Sequence, residues 1–159
     1  MQGIVKGYGG ASDAWHPTAP HPQGRGLKKA LEIAMRDAAM TPDQIALVNA
    51  HGTGTKANDI AETTALAEFL SDEQTSIVST KGATGHTLGA AGGLEAIFTL
   101  KALRQGVTGG TIGCCCPDDA FPVRPLCQGE TRELHSRYGI SQSMAFGGGN
   151  AVLVLETMP

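Results

Sequence analysis

Between Arg25 and Met40, apolar residues recur at Leu27, Ala30, Leu31, Ala34 and Met35, while Lys28, Lys29, Glu32 and Arg36 fall largely on the other side. That three-to-four spacing predicts an amphipathic helix with one face on a core. Thr41-Pro42-Asp43 then opens a turn, with the threonine as cap and the proline at the first turn position. Ile45-Ala-Leu-Val-Asn-Ala50 and Thr75-Ser-Ile-Val-Ser79 read as short buried strands. Asp59 to Leu70 is predicted helical, with Asp59 and Glu62 in the first turn, where carboxylates suit the helix dipole. Leu88 to Arg104 is predicted helical too, but differs in kind. From Leu88 to Leu100 its one charge is Glu95. A helix apolar nearly all round is expected to be buried on several sides, here between layers. Glu95 within it needs a partner, because an isolated buried carboxylate is costly.

The remaining pattern completes the order. Met1 to Tyr8 reads as a strand that begins with almost no leader, as expected where further polypeptide precedes it. Gly9 to Gly24 reads as a Pro- and His-rich loop, and the chain after Gly106 as loop through Gly129. Arg137 to Ser143 and Asn150 to Glu156 read as two strands joined through Met144-Ala-Phe146-Gly-Gly-Gly149. Val152 to Leu155 is apolar on both faces, as in the middle of a covered sheet. The order β-α-β-α-β-α-β-β predicts an α/β layered domain.

Composition narrows the function classes. At 159 residues the chain is expected to form one domain that buries roughly 70% of its unfolded surface. With 12 Lys+Arg against 15 Asp+Glu and no basic run, nucleic acid is not an expected partner. No segment reads as a membrane span or a signal peptide, so a cytoplasmic location is expected. Of the four cysteines, Cys114, Cys115 and Cys116 are consecutive and run into Pro117-Asp-Asp119, and Cys127 follows a Pro-rich loop. No zinc spacing attends them, and the triplet has neither a basic neighbour nor a helix start, so they are expected to be unreactive loop or core thiols.

Two stretches carry candidate chemistry. After the strand ending at Ala50 comes His51-Gly-Thr-Gly-Thr55. After the strand ending at Ser79 comes Thr80-Lys81-Gly-Ala-Thr-Gly-His86. Each is a strand, a Gly-rich turn and then a helix, the geometry that holds polar groups at the edge of a parallel sheet. One such histidine is as readily a structural hydrogen-bonder. Two of them, with the third Gly-rich element at 147–149, point to a shared site.

Tyr8-Gly-Gly-Ala-Ser-Asp-Ala-Trp-His-Pro-Thr-Ala-Pro20, Asn49-Ala-His51-Gly-Thr-Gly-Thr55, Lys81-Gly-Ala-Thr-Gly-His86 and Ala145-Phe146-Gly-Gly-Gly-Asn150 appear in that order. Together they resemble the C-terminal half of β-ketoacyl-acyl-carrier-protein synthases, over essentially the whole chain, residues 1–159. The resemblance implies one half of the layered αβαβα architecture of the thiolase-like fold. It also implies a Cys-His-His chemistry. An acyl group is held on a cysteine, two histidines assist loss of CO2 from a malonyl thioester, and the resulting carbanion attacks the acyl-cysteine. By motif match His51 and His86 are the catalytic histidines, and Lys81 holds the second and sets the site's electrostatics. Glu95, with Thr53 and Thr55, belongs to the supporting network, and Phe146, Gly147 and Gly148 gate access. Neutral imidazoles near helix N-termini suit such work as donors to an enolate oxygen.

The departures from the family pattern matter as much. Met144 stands where an aromatic is usual and Gly149 where threonine is frequent, so acyl preference is expected to differ. The cysteine triplet occupies positions where an asparagine is common. The family's nucleophile lies in the other half of the fold, and this chain has no Ala-Cys-Ser elbow between strand and helix. The expected partners are therefore acyl carrier protein and an N-terminal half or a Cys-bearing chain, in a homo- or hetero-dimer. No metal or redox cofactor is implied. Helix 88–104 would lack part of its cover and expose an apolar patch, so poor solubility or obligate association is expected alone. Arg25, Lys28 and Lys29 could meet an acidic carrier protein, but a solvated helix face accounts for them. The alternatives are a non-catalytic partner of chain-length-factor type and a CoA-dependent thiolase. Thiolases usually carry a second reactive cysteine in a Cys-x-Gly setting, which is absent here.

Overall fold

The computed structural model describes residues 3–70 and 74–158. Among the described residues seven strands and four α-helices follow one another: β1 (Gly3–Ser12), α1 (Arg25–Ala38), β2 (Leu47–Asn49), α2 (Lys56–Phe69), β3 (Ser76–Val78), α3 (Lys81–Thr84), α4 (Ala91–Gln105), β4 (Val107–Gly109), β5 (Thr131–Glu133), β6 (Tyr138–Met144) and β7 (Gly149–Thr157). Five of the strands form one sheet in the order β1-β7-β6-β2-β3. β2 runs parallel to β3 and β6, whereas β7 is antiparallel to both β6 and β1.

Alternation along the strands sorts the core into two faces. Val48, Ile77, Ile140, Val152 and Val154 pack with Leu27, Leu31 and Ala34 of α1 and Ala61, Ala65 and Leu66 of α2 in the main core. Their neighbours Leu47 and Val78 turn the other way, to Leu103 of α4 and Leu126. The result is three layers, α1 and α2 on one face and α4 on the other. The amphipathic helix expected from Arg25 is in place. Thr41 and Gln44 close a capping box around the short 3-10 turn Pro42–Gln44, with Thr41 N donating to Gln44 Oε1 at 2.9 Å.

Several expectations are corrected. The first strand does not end at Tyr8 but continues to Ser12 through residues read as loop; Met1 and Gln2 lie outside the described residues. Glycine in this strand reflects close packing, not a turn. A Cβ at Gly7 or Gly9 would run into the backbone carbonyl of Ala34 or Ala30, so α1 can lie this close only over glycine. The segment after Gly106 is not all loop, because β4 pairs antiparallel with β5 in a small second sheet. Helix α2 starts at Lys56, which moves Glu62 out of the first turn and into the buried side of the helix.

The largest correction concerns α4. A 3-10 turn, Leu88–Ala90, precedes it, and it is not buried on several sides. Ala91, Glu95, Thr99 and Leu103 form one buried stripe at intervals of four, while Ile97 is 54% and Leu88 77% exposed. Among the described residues this helix packs on β2, β6 and β7 of the large sheet and on β4.

Candidate active site

Because β2 and β3 are parallel neighbours, both strands deliver their following turns to the same sheet edge, where Ala50 N donates to the Val78 carbonyl at 2.7 Å. His51 and His86 meet there. Their rings stand edge to face, with centroids 5.3 Å apart and planes at 85°. His51 is buried (6% exposed) and His86 is exposed.

The His51 turn is clamped from beneath. His51 N and Gly52 N donate to Glu62 Oε1 and Oε2 at 2.6 and 2.8 Å, and Ser79 Oγ donates to the Gly52 carbonyl at 3.2 Å. Gly52 sits at a φ of 44°, the left-handed region that glycine tolerates at no side-chain cost. Burial, then the Lys81 charge, then the neighbouring His86 push the His51 imidazole down from its ordinary 6.5 to about 3. It is therefore neutral at physiological pH. His86 is held more lightly. Its Nδ1 accepts the Leu88 N–H at 3.3 Å, which makes Nε2 the ring nitrogen able to donate.

Lys81 and Glu95 form a buried ion pair near His51, their side chains 5% and 2% exposed. The cost of burying two charges is met only when each is closely paired. Asn49 locks the pair's backbone in place. Its Nδ2 donates to the Glu95 carbonyl at 3.1 Å and to Thr99 Oγ1 at 3.2 Å, and its Oδ1 accepts from Thr80 N at 3.3 Å. Thr53 and Thr55 stand elsewhere: their hydroxyls are 3.0 Å apart on the exposed side of the turn.

Phe146 is 81% exposed on the turn between β6 and β7. Gly147 N donates to the Pro17 carbonyl at 2.7 Å. Asn150 Nδ2 donates to the Gly148 carbonyl at 2.9 Å and to Asp13 Oδ1 at 3.1 Å, so the turn is moored to the loop after β1. Met144, which stands where the family usually has an aromatic, is 7% exposed and packs in the main core.

Sequence reasoning gave no role to Asn49 or Gln142 and misassigned Glu62. Gln142, fully buried in the middle of β6, donates to Glu62 Oε1 at 2.6 Å. For Asn49 the available signal was a polar residue closing an apolar strand; Gln142 lies between Ser141 and Ser143 and offered none. Elsewhere, burial, followed by the nearby Cys127, raises the Cys114 thiol. Cys115 and Cys116 are exposed and Cys127 is buried. Among the described residues no group of three or more His, Cys, Asp or Glu side chains is placed to share a metal ion, and no helix is long and apolar enough to cross a membrane.

Comparison with known proteins agrees with this geometry. The family model described as "Beta-ketoacyl synthase, C-terminal domain" matches residues 2–114. The 3-oxoacyl-[acyl-carrier-protein] synthase 2 of Staphylococcus aureus (strain COL) is 38% identical over 154 residues, covering 96% of this chain and 37% of that protein. Among solved structures, the ishigamide ketosynthase/chain length factor superposes with a TM-score of 0.89 at 37% identity, over 98% of this chain and 38% of the matched one. A ketosynthase from Xenorhabdus doucetiae, in complex with its chain length factor, gives a TM-score of 0.88 at 37% identity, over 99% and 40%. The chain thus spans well under half the length of these relatives. Paired histidine turns at the ends of parallel strands, a buried lysine–glutamate pair near His51 and a match along nearly all its length place this chain in the β-ketoacyl synthase family, as the C-terminal half of a ketosynthase with the thiolase-like fold.

Proposed function

We propose that this chain supplies the decarboxylating half of a 3-oxoacyl-[acyl-carrier-protein] synthase, with His51 and His86 as its catalytic groups. The observation that carries this is the edge-to-face histidine pair, one ring buried and held neutral, the other exposed with its Nδ1 accepting from Leu88 N. A malonyl thioester delivered on acyl carrier protein loses CO2 as its C–C bond to the carboxylate breaks. The electron pair passes to the thioester, and the enolate oxygen accepts N–H bonds from the imidazoles. Neutral donors are apt here, because preorganised dipoles stabilise the developing charge without capturing the carbanion as a strong acid would. The carbanion then attacks the carbonyl of an acyl-cysteine, and collapse of that adduct breaks the C–S bond and returns the thiolate.

The cysteine belongs to a second body, an N-terminal half or a partner chain. The open side of α4, with Ile97 and Leu88 exposed, is the surface it would cover. Lys81 and Glu95 act near His51: the ammonium disfavours a His51 imidazolium, and Glu95 keeps that ammonium in place. Phe146 and the glycines after it form the access turn.

A second reading is a non-catalytic partner of chain-length-factor type, since relatives of known structure are complexes that contain such a subunit. Retention of both histidines and the lysine favours catalysis. The test is CO2 release from malonyl-acyl carrier protein by the assembled protein. His51→Ala and His86→Ala are each expected to lower the rate by about 100-fold or more, the scale of losing an oxyanion donor. Rates unchanged in both variants would leave the partner-subunit reading.

A further inference from the structure

Four cysteines stand outside the histidine chemistry, and the fold brings two of them together. All lie on the strap of residues 110–130 that joins β4 to β5. Thr111 bridges to Cys127, and Gln128 N donates to the Cys114 carbonyl at 2.8 Å. That link makes Cys114 and Cys127 close neighbours across the loop, and a disulfide requires Cα atoms within roughly 7 Å. The Cys127 sulfur is near enough to raise the Cys114 thiol, with the Arg124 charge pulling the other way. Arg124 Nη2 donates to Cys127 Sγ at 3.3 Å and is itself held on Glu130. Cys114 is half-buried, Cys127 buried, and Cys115 and Cys116 exposed. A bridge between sequence neighbours within the triplet would be strained, which leaves Cys114 with Cys127.

The strap also leans on the site. Thr111 Oγ1 accepts from Ser79 N at 2.9 Å, and Leu126 N donates to the Ile77 carbonyl at 2.8 Å. The Ile112 carbonyl lies where a Cβ at Gly82 would fall. These contacts reach β3 and the turn that carries Lys81. We propose that Cys114 and Cys127 are a redox modification site: a peroxide joins them in a disulfide, a thiol reductant reopens it, and the closed bond fixes the strap against β3 and the Lys81 turn. The Cys114 thiolate attacks one peroxide oxygen, the O–O bond breaks, and a sulfenic acid and, after proton uptake, water result. The Cys127 sulfur then attacks that sulfur, the S–O bond breaks, and hydroxide leaves with the Cys127 proton as a second water. Two thiols thus give up two electrons and the peroxide takes them. Because burial holds the Cys114 thiol up, the first step quickens as pH rises. The pairing does not depend on the ketosynthase reading.

The test treats the protein as purified, with any partner chain bound, with hydrogen peroxide and then unfolds it in an alkylating agent. Cleavage at Asp118 and Asp119 separates the two cysteines, so a bridge shows as two peptides that stay joined until a thiol reductant is added. The expected result is a Cys114–Cys127 bridge, with Cys115 and Cys116 outside it. Cys114→Ser and Cys127→Ser should each abolish it, and Cys114→Ser, at the half-buried position, decides alone if the other does not fold. In the bridged protein the Ser79 and Leu126 amides should exchange at least about tenfold more slowly, a modest share of what closing a loop contributes. Alkylation of both Cys114 and Cys127 after peroxide would overturn the proposal. So would a bridge that persists in Cys114→Ser, a bridge through Cys115, Cys116 or a second chain, or unchanged exchange at both amides in the bridged protein.

Discussion

The two faces of the sheet are built to different degrees of completion. On one, Leu27 and Leu31 of α1, Leu66 of α2, and Ile45, Val48 and Ile140 are all fully buried in a shared core. On the other, α4 seals Glu95, Thr99 and Leu103 against the strands and leaves Ile97 to solvent. His51 is anchored on the finished side through Glu62, whereas His86 stands exposed at the entrance to the unfinished one. The difference separates what this chain fixes alone, the backbone and charge environment of the His51 ring, from the enclosure that we propose a second body supplies.

The sharpest way to break that comparison is Lys81→Met. It strands the Glu95 carboxylate under α4, and removing one member of a buried pair is expected to cost about 3–5 kcal/mol in a denaturant titration. A loss no larger than that of a surface change would mean that the open face already admits water to the pair. Next, Leu31→Ala on the finished face should cost about 2–5 kcal/mol by leaving a cavity. Ile97→Ser on the open face should shift the stability of the chain alone by no more than about 0.5 kcal/mol, while weakening its association with a partner. Equal losses for Leu31→Ala and Ile97→Ser would put the two faces on the same footing.

Titration sharpens the comparison further. The folded value of His51 lies below its unfolded one, so at low pH the unfolded state binds the extra proton. The stability linked to His51 is fully present above about 6.5 and is lost as pH falls toward about 3, at about 1.4 kcal/mol per unit. An NMR titration of the His51 ring should show it neutral at pH 5, and a midpoint near 6.5 would contradict its enclosure.

How much of this was legible in the sequence follows from what each feature needs. His51 and His86 were legible because strand, Gly-rich turn and helix recur twice, and parallel neighbours must deliver their turns to one edge. The Lys81–Glu95 pair was half legible: a lone carboxylate in an apolar helix announces a partner without naming it. Gly9 misled because glycine marks a turn and a close helix–strand approach equally well. Glu62 and Gln142 carry no periodic signature, since a buried clamp depends on three elements far apart in the chain. Helix α4 misled most, because an apolar surround says that a helix is to be covered but not by which polypeptide.

That last point carries the central claim, and the native mass of the protein from its own source, with identification of everything that co-elutes, tests it most directly. The account predicts an assembly, or a longer polypeptide, that includes a body with a strand–cysteine–helix elbow, and apolar-dye binding by the chain when it is stripped of that body. A stable, soluble monomer of this chain that binds no apolar dye would contradict it.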